Sequence, residues 1–237
     1  MIDKAPDQTL LDLAQHLGIT FEALASSHIA PAFWGEGLFR VFISHLSTQR
    51  QWAADLKAAL LHFGISGFVA HNDIEPTLEW QDEIELALST CDALVALLHS
   101  EFHESKWTDQ EIGFAMGRGV PVFSVRFGEV PYGFIARFQA FNGNKCEPID
   151  LAQELFEACR KHKQTRGAMS QVLIRLFENS GSFAEAKVRI GYLEEAEEWD
   201  ASFSGRIQNA AEQNSQITHS WGVPGRVSAL VQKWSGS

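Results

Sequence analysis

Cysteine is scarce: the 237-residue chain holds 3, Cys91, Cys146 and Cys159, an odd number with no Cys-x-x-Cys pair. That excludes a disulfide scaffold and offers no zinc-ligand spacing, so reduced thiols and no metal are expected. Basic residues are also short, 19 Lys and Arg against 30 Asp and Glu, for a formal net charge of -11. So acidic a chain is a poor partner for nucleic acid or an anionic membrane, whose charge must be met by Lys and Arg. No apolar run approaches the roughly 20 residues of a membrane span. The first residues lack the basic segment and apolar core of a secretion signal, and a cytoplasmic location is the expectation. What remains is ordinary globular composition, 45% hydrophobic and 21% charged, enough for one good core and some additional elements.

Three regions separate along the chain. Residues 1–37 carry two short helical patterns broken at Gly18-Ile19-Thr20. The Ala14, Gly18 and Leu24 spacing mimics a DNA-binding helix-turn-helix. Pro31, Gly35 and Gly37 follow where a third helix belongs, and a basic surface is missing, so an N-terminal helical hairpin is the better reading. Residues 38–162 alternate strand and helix signals. Strands are expected over 39–43, 65–70, 93–98 and 121–125, with a short fifth over 138–141. Amphipathic helices fall between them, one closed by Gly64 and one started by Thr77 as its cap. This βαβ rhythm predicts an α/β domain with a flavodoxin-like, doubly wound parallel sheet flanked by helices. Over residues 163–237 strand signals vanish, and helices are expected over 168–178, 183–198, 203–213 and 223–234 as an all-helical C-terminal module. The acidic run Glu194, Glu195, Glu197, Glu198 and Asp200 is most simply a solvated face.

The most informative stretch is Ser105-Lys106-Trp107-Thr108-Asp109-Gln110-Glu111, between the third and fourth strands. Ligands on parallel sheets bind outside the carboxyl ends of the strands, and Glu111 sits in the opening turn of a helix near that rim. Two readings compete. Thr108 followed three residues later by Glu111 fits a capping box, in which the glutamate folds back onto its own helix start. Alternatively, Glu111 faces outward as a catalytic carboxylate. Ser44 and His45 end the first strand, and His71 and His99 end the second and third, all on the same rim.

Residues 38–162 resemble a TIR (Toll/interleukin-1 receptor) domain of the bacterial type. Phe42-Ile43-Ser44-His45 looks like its first strand. Asn72-Asp73-Ile74-Glu75-Pro76-Thr77 looks like the BB loop, and Ser105-x-Trp107-x-x-x-Glu111 like the tryptophan-then-glutamate motif. One departure is visible: relatives commonly read Ser-His-Ser-Ser-x-Asp where this chain has Ser44-His45-Leu46-Ser47-Thr48-Gln49. Many domains similar to this one cleave NAD+ between nicotinamide and ribose, releasing ADP-ribose or a cyclic, signalling isomer, and in bacteria they often serve anti-phage defence. The resemblance thus implies a cytoplasmic NAD+ glycohydrolase or ADP-ribosyl cyclase, with NAD+ as substrate and no bound cofactor. Glu111 is its catalytic residue, and Ser44, His45, His71, Asp73, His99 and Trp107 are substrate contacts. Asp73, Ile74, Pro76 and Thr77 of the BB loop meet a second copy through TIR–TIR association, and a separate defence effector or sensor is a further partner. Two alternatives stand beside this: a non-enzymatic TIR scaffold, and a nucleoside deoxyribosyltransferase-like enzyme using the same sheet and a glutamate at a ribosyl centre. A receiver domain fits worse, because its acidic cluster would stand where Ser44-His45 and His99 are.

Overall fold

Apolar β-branched and aromatic runs build the centre of the molecule. The structure, a computed structural model, describes residues 31–70 and 78–235. The strands are β1 (Phe39–Ser44), β2 (Ile65–Val69), β3 (Ala93–Leu98), β4 (Val122–Arg126) and β5 (Phe141–Asn142). They pair in parallel in the order β2-β1-β3-β4-β5. All six residues of β3 are buried, as the central strand of a sheet covered on both faces must be. The expected fifth strand shrinks to two residues at the sheet edge.

Helices α1 (Arg50–Leu61), α2 (Leu78–Thr90), α3 (Thr108–Gly117) and α4 (Pro148–Lys161) connect the strands or follow them. Period-two alternation sorts the strand side chains between two layers. Val41, Ile43, Val95, Leu97 and Val125 share one core with Ala53, Leu56 and Leu60 of α1 and Leu155 and Phe156 of α4. Phe42, Leu94, Ala96 and Ser44 turn the other way, and α2 and α3 lie beside β1 on that side. Gly64 closes the turn after α1 at φ +72°, where a β-carbon would also come within 2.5 Å of Val172. Asp92, just before β3, accepts from the Arg40 backbone N–H and from its guanidinium at 2.7–3.0 Å, which ties the starts of two neighbouring strands.

The chain then continues as α5 (Arg166–Glu178), α6 (Phe183–Glu194), α7 (Ala201–Gln213), the single turn α8 (Ser215–Thr218) and α9 (Val223–Ser235). Their buried residues, among them Val172, Phe177, Ile190, Leu193, Ile207 and Leu230, join the core beneath α1 and α4 without a break. Residues from Phe33 onward form one compact unit.

Helix α6 stops four residues short of its expected end, and the acidic run is not the simple solvated face expected. Glu194 pairs with Arg226 of α9, Glu195 with Arg160 of α4, and Glu197 and Glu198 with Arg166 of α5. Asp200 caps α7 by accepting from the Ser202 N–H. The run is a clasp between helices, and the chain leaves the helix where those carboxylates must point in different directions. The expected N-terminal hairpin lies outside the described residues. All three cysteines are free thiols. Among the described residues, no helix is long and apolar enough to cross a membrane.

Candidate active site

The capping box does not form. Thr108 is the first residue of α3 rather than its cap, and its hydroxyl donates to the Phe102 carbonyl at 2.7 Å. That bond anchors the helix start to the single 3-10 turn Phe102–Glu104 that precedes it. The Glu111 side chain is thereby left free of its own helix terminus. It crosses to β1, where the Ser44 hydroxyl donates to its carboxylate at 2.5 Å. Both partners are buried, Ser44 at 1% and Glu111 at 6% exposure. Parallel registry places Ser44 level with Ala96 of β3 and Ser124 of β4 on the same sheet face. Only small side chains stand in that row, which leaves room for a carboxylate to reach the sheet.

Burial pushes the Glu111 carboxyl up to about 7, and the Ser44 hydrogen bond partly opposes that rise. The N-terminal half of a helix also favours the ionised form, yet loss of water outweighs both influences. A carboxyl poised near neutrality in a recess is a common attribute of catalytic groups.

A cavity of about 230 Å³ opens in front of it, lined by Gln81, Ile84, Glu85 and Leu88 of α2 and by Trp107, Gln110, Glu111 and Phe114 at α3. Each set follows i, i+3, i+4, i+7 spacing, so the cavity is the gap between two facing helical stripes. Sequence reasoning found Trp107 and Glu111 but missed the α2 wall. Gln81 and Glu85 share a helical stripe with apolar Ile84 and Leu88, and in sequence they read as ordinary solvated positions. It also missed the Tyr132 hydroxyl, which donates to Asp109 at 2.5 Å and ties the loop after β4 to the first turn of α3.

The histidines fall elsewhere. His45 is buried and its Nδ1 lies 3.0 Å from the Ile43 carbonyl. His99 stacks on Phe127 at 4.3 Å, and Phe127 in turn meets Trp52 of α1. That aromatic stack belongs to the α1 layer, and neither histidine lines the cavity before Glu111. Burial, followed by repulsion from His45, lowers the His99 pKa below the usual imidazole value. His71, Asp73, Ile74, Pro76 and Thr77 lie outside the described residues. Among the described residues, no group of three His, Cys, Asp or Glu side chains is placed to hold a metal ion.

A family model described as TIR domain matches residues 41–162, just over half of the chain. The chain belongs to the TIR-domain family. Among solved structures, the TIR domain of the Toll-related receptor TRR-2 from the lower metazoan Hydra magnipapillata is similar, at 20% identity and a TM-score of 0.42. That likeness covers 52% of this chain and 99% of that one. No curated protein matches the chain. The TIR family serves in signalling, and its members include both NAD-cleaving enzymes and non-enzymatic adaptors. Within this TIR domain, the matched span holds β1 from Val41 onward, β2 to β5, Ser44, Glu111 and every cavity residue named above, while α5 to α9 lie beyond it.

Proposed function

We propose that this protein is an NAD+ nucleosidase that breaks the nicotinamide–ribose bond, with Glu111 as the catalytic residue. The observation that carries the reading is the Glu111 carboxylate turned away from its helix start and held by Ser44, in a residue that lines a cavity. Nicotinamide leaves a pyridinium as a neutral molecule, so its departure needs little acid catalysis. Positive charge gathers on the ribosyl carbon, and a fixed carboxylate in a water-poor recess steadies it. One carboxylate suffices here, whereas hydrolysis of an ordinary glycoside commonly uses two. Water capturing the ribosyl cation yields ADP-ribose, and capture by the substrate's own adenine ring yields a cyclic isomer.

The cavity is smaller than the roughly 300–1,000 Å³ of sites that enclose drug-sized ligands. It therefore suits one end of a dinucleotide, with Trp107 as a wall beside the reacting bond. Ser44 orients the carboxylate. His71 and Asp73 are proposed contacts for the remainder of the substrate. Self-association through the BB loop, Asp73, Ile74, Pro76 and Thr77, completes the site. A cytoplasmic role in bacterial anti-phage defence fits this chemistry, since NAD+ loss or a nucleotide signal would halt an infected cell.

A second reading, a TIR scaffold without chemistry, draws support from Phe134 and Val130, exposed at 82% and 54% on the loop after β4. Incubation of concentrated protein with NAD+, with chromatography of the products, separates the two. Wild type should release nicotinamide, and Glu111→Ala should lose about 100-fold or more in rate. Equal behaviour of the two proteins, with NAD+ intact, assigns the scaffold role.

A further inference from the structure

Among the described residues, eight side chains line the cavity between α2 and α3, and their chemistry is one-sided. Two are carboxylic acids, Glu85 and Glu111, two are aromatic, Trp107 and Phe114, and none is Lys, Arg or His. Glu85 is exposed and has no ion-pair partner among the described residues, although much of the acidic surface further along the chain is paired with arginine. Aromatic rings and uncompensated carboxylates share a preference: a ring can take a cation over its face, and a carboxylate attracts one by charge. The apolar floor of Ile84 and Leu88 gives a cationic ring something to bury against.

We infer that the α2–α3 cavity is a receptor for a flat organic cation, and that Glu85 is the residue that sets its selectivity for charge. This rests on the NAD+ reading given above and deepens it: the oxidised cofactor presents a pyridinium cation, whereas the reduced form presents a neutral ring of nearly the same shape. Glu85 draws in the charged ring, and Glu111 receives the charge as the bond breaks and it moves to the ribose. Among the described residues, the charged groups that line the cavity are Glu85 from α2 and Glu111 from α3, and uncharged Ser44 of β1 donates to Glu111. Because burial holds Glu111 partly protonated near neutrality, a cation that enters also promotes its ionisation.

The test uses the full chain and two probes, 1-methylnicotinamide as the pyridinium cation and nicotinamide as its neutral counterpart. Affinities are read by ligand-observed NMR for wild type, Glu85→Gln and Asp82→Asn, the last removing a charge of the same helix that does not line the cavity. Wild type should bind the cation about threefold more tightly than the neutral ring, the scale of a partly exposed charge pair. Glu85→Gln should erase most of that preference and leave nicotinamide affinity unchanged, and Asp82→Asn should keep the preference. Equal affinities in wild type, or a preference that survives Glu85→Gln, overturn the inference. Nicotinamide release from NAD+ is measured on the same preparations. Selective cation binding without NAD+ cleavage retains the receptor and discards the nucleosidase, whereas cleavage without charge preference overturns the receptor and leaves the nucleosidase standing.

Discussion

Replacing Glu111 by Gln should stabilise the fold at pH 8 and change it little at pH 5. A carboxyl at about 7 in the folded chain ordinarily titrates near 4.5. Below the lower value it is protonated in both states and exacts no penalty. Between the two values the unfolded chain ionises first, so stability falls as pH rises. Above the folded value the loss is complete, and at about 1.4 kcal/mol per pH unit it reaches about 3 kcal/mol. Glutamine keeps the oxygen that accepts from Ser44 and cannot ionise, so the variant escapes this loss. Urea unfolding followed by tryptophan fluorescence at pH 5, 6, 7 and 8 measures the difference. It should grow from under ~1 kcal/mol at pH 5 to about 3 kcal/mol at pH 8. A difference that is absent, or constant across that range, refutes the argument that burial governs this carboxyl.

Other outcomes follow from the same geometry. Ser44→Ala removes the hydrogen bond that favours the ionised carboxylate, so the midpoint of the pH–activity curve should move to higher pH by about one unit. An unchanged midpoint would show that Ser44 does not act on Glu111. Gly64→Ala meets both a left-handed backbone and the Val172 side chain, and should lower stability by about 2 kcal/mol or more in a urea titration. A smaller loss would mean that α5 yields easily to the intruding methyl.

The sheet was legible because its strands are continuous apolar runs with tight connections. Strands 93–98 and 39–43 needed at most one residue of adjustment, and the parallel order came from the alternation of strands and helices. Phe141 and Asn142 were harder, since a two-residue edge strand owes its existence to pairing with β4 rather than to its own pattern. The fate of Glu111 was undecidable locally, because Thr108 and Glu111 satisfy the capping spacing. What decided it was Phe102, six residues before Thr108, whose carbonyl takes the threonine hydroxyl. Ser44 and His45 looked like a pair at one rim, yet the histidine bonds back to Ile43 and keeps company with His99, away from the carboxylate. The α2 wall was hidden because its polar members, Gln81 and Glu85, look like ordinary solvated helix positions until α3 faces them. The acidic run at the end of α6 lacked any local sign of its partners, which are 31 to 35 residues away in the chain for Arg226, Arg160 and Arg166.

The rate of nicotinamide release from NAD+ by the wild-type protein, followed from about pH 4 to about pH 9, tests the central claim most directly. If Glu111 in its ionised form steadies the ribosyl cation, the rate rises through a single midpoint near 7 and levels off above it, and Glu111→Gln stays near the baseline throughout. A profile with its rise near 4.5, or no release at any pH, contradicts the account.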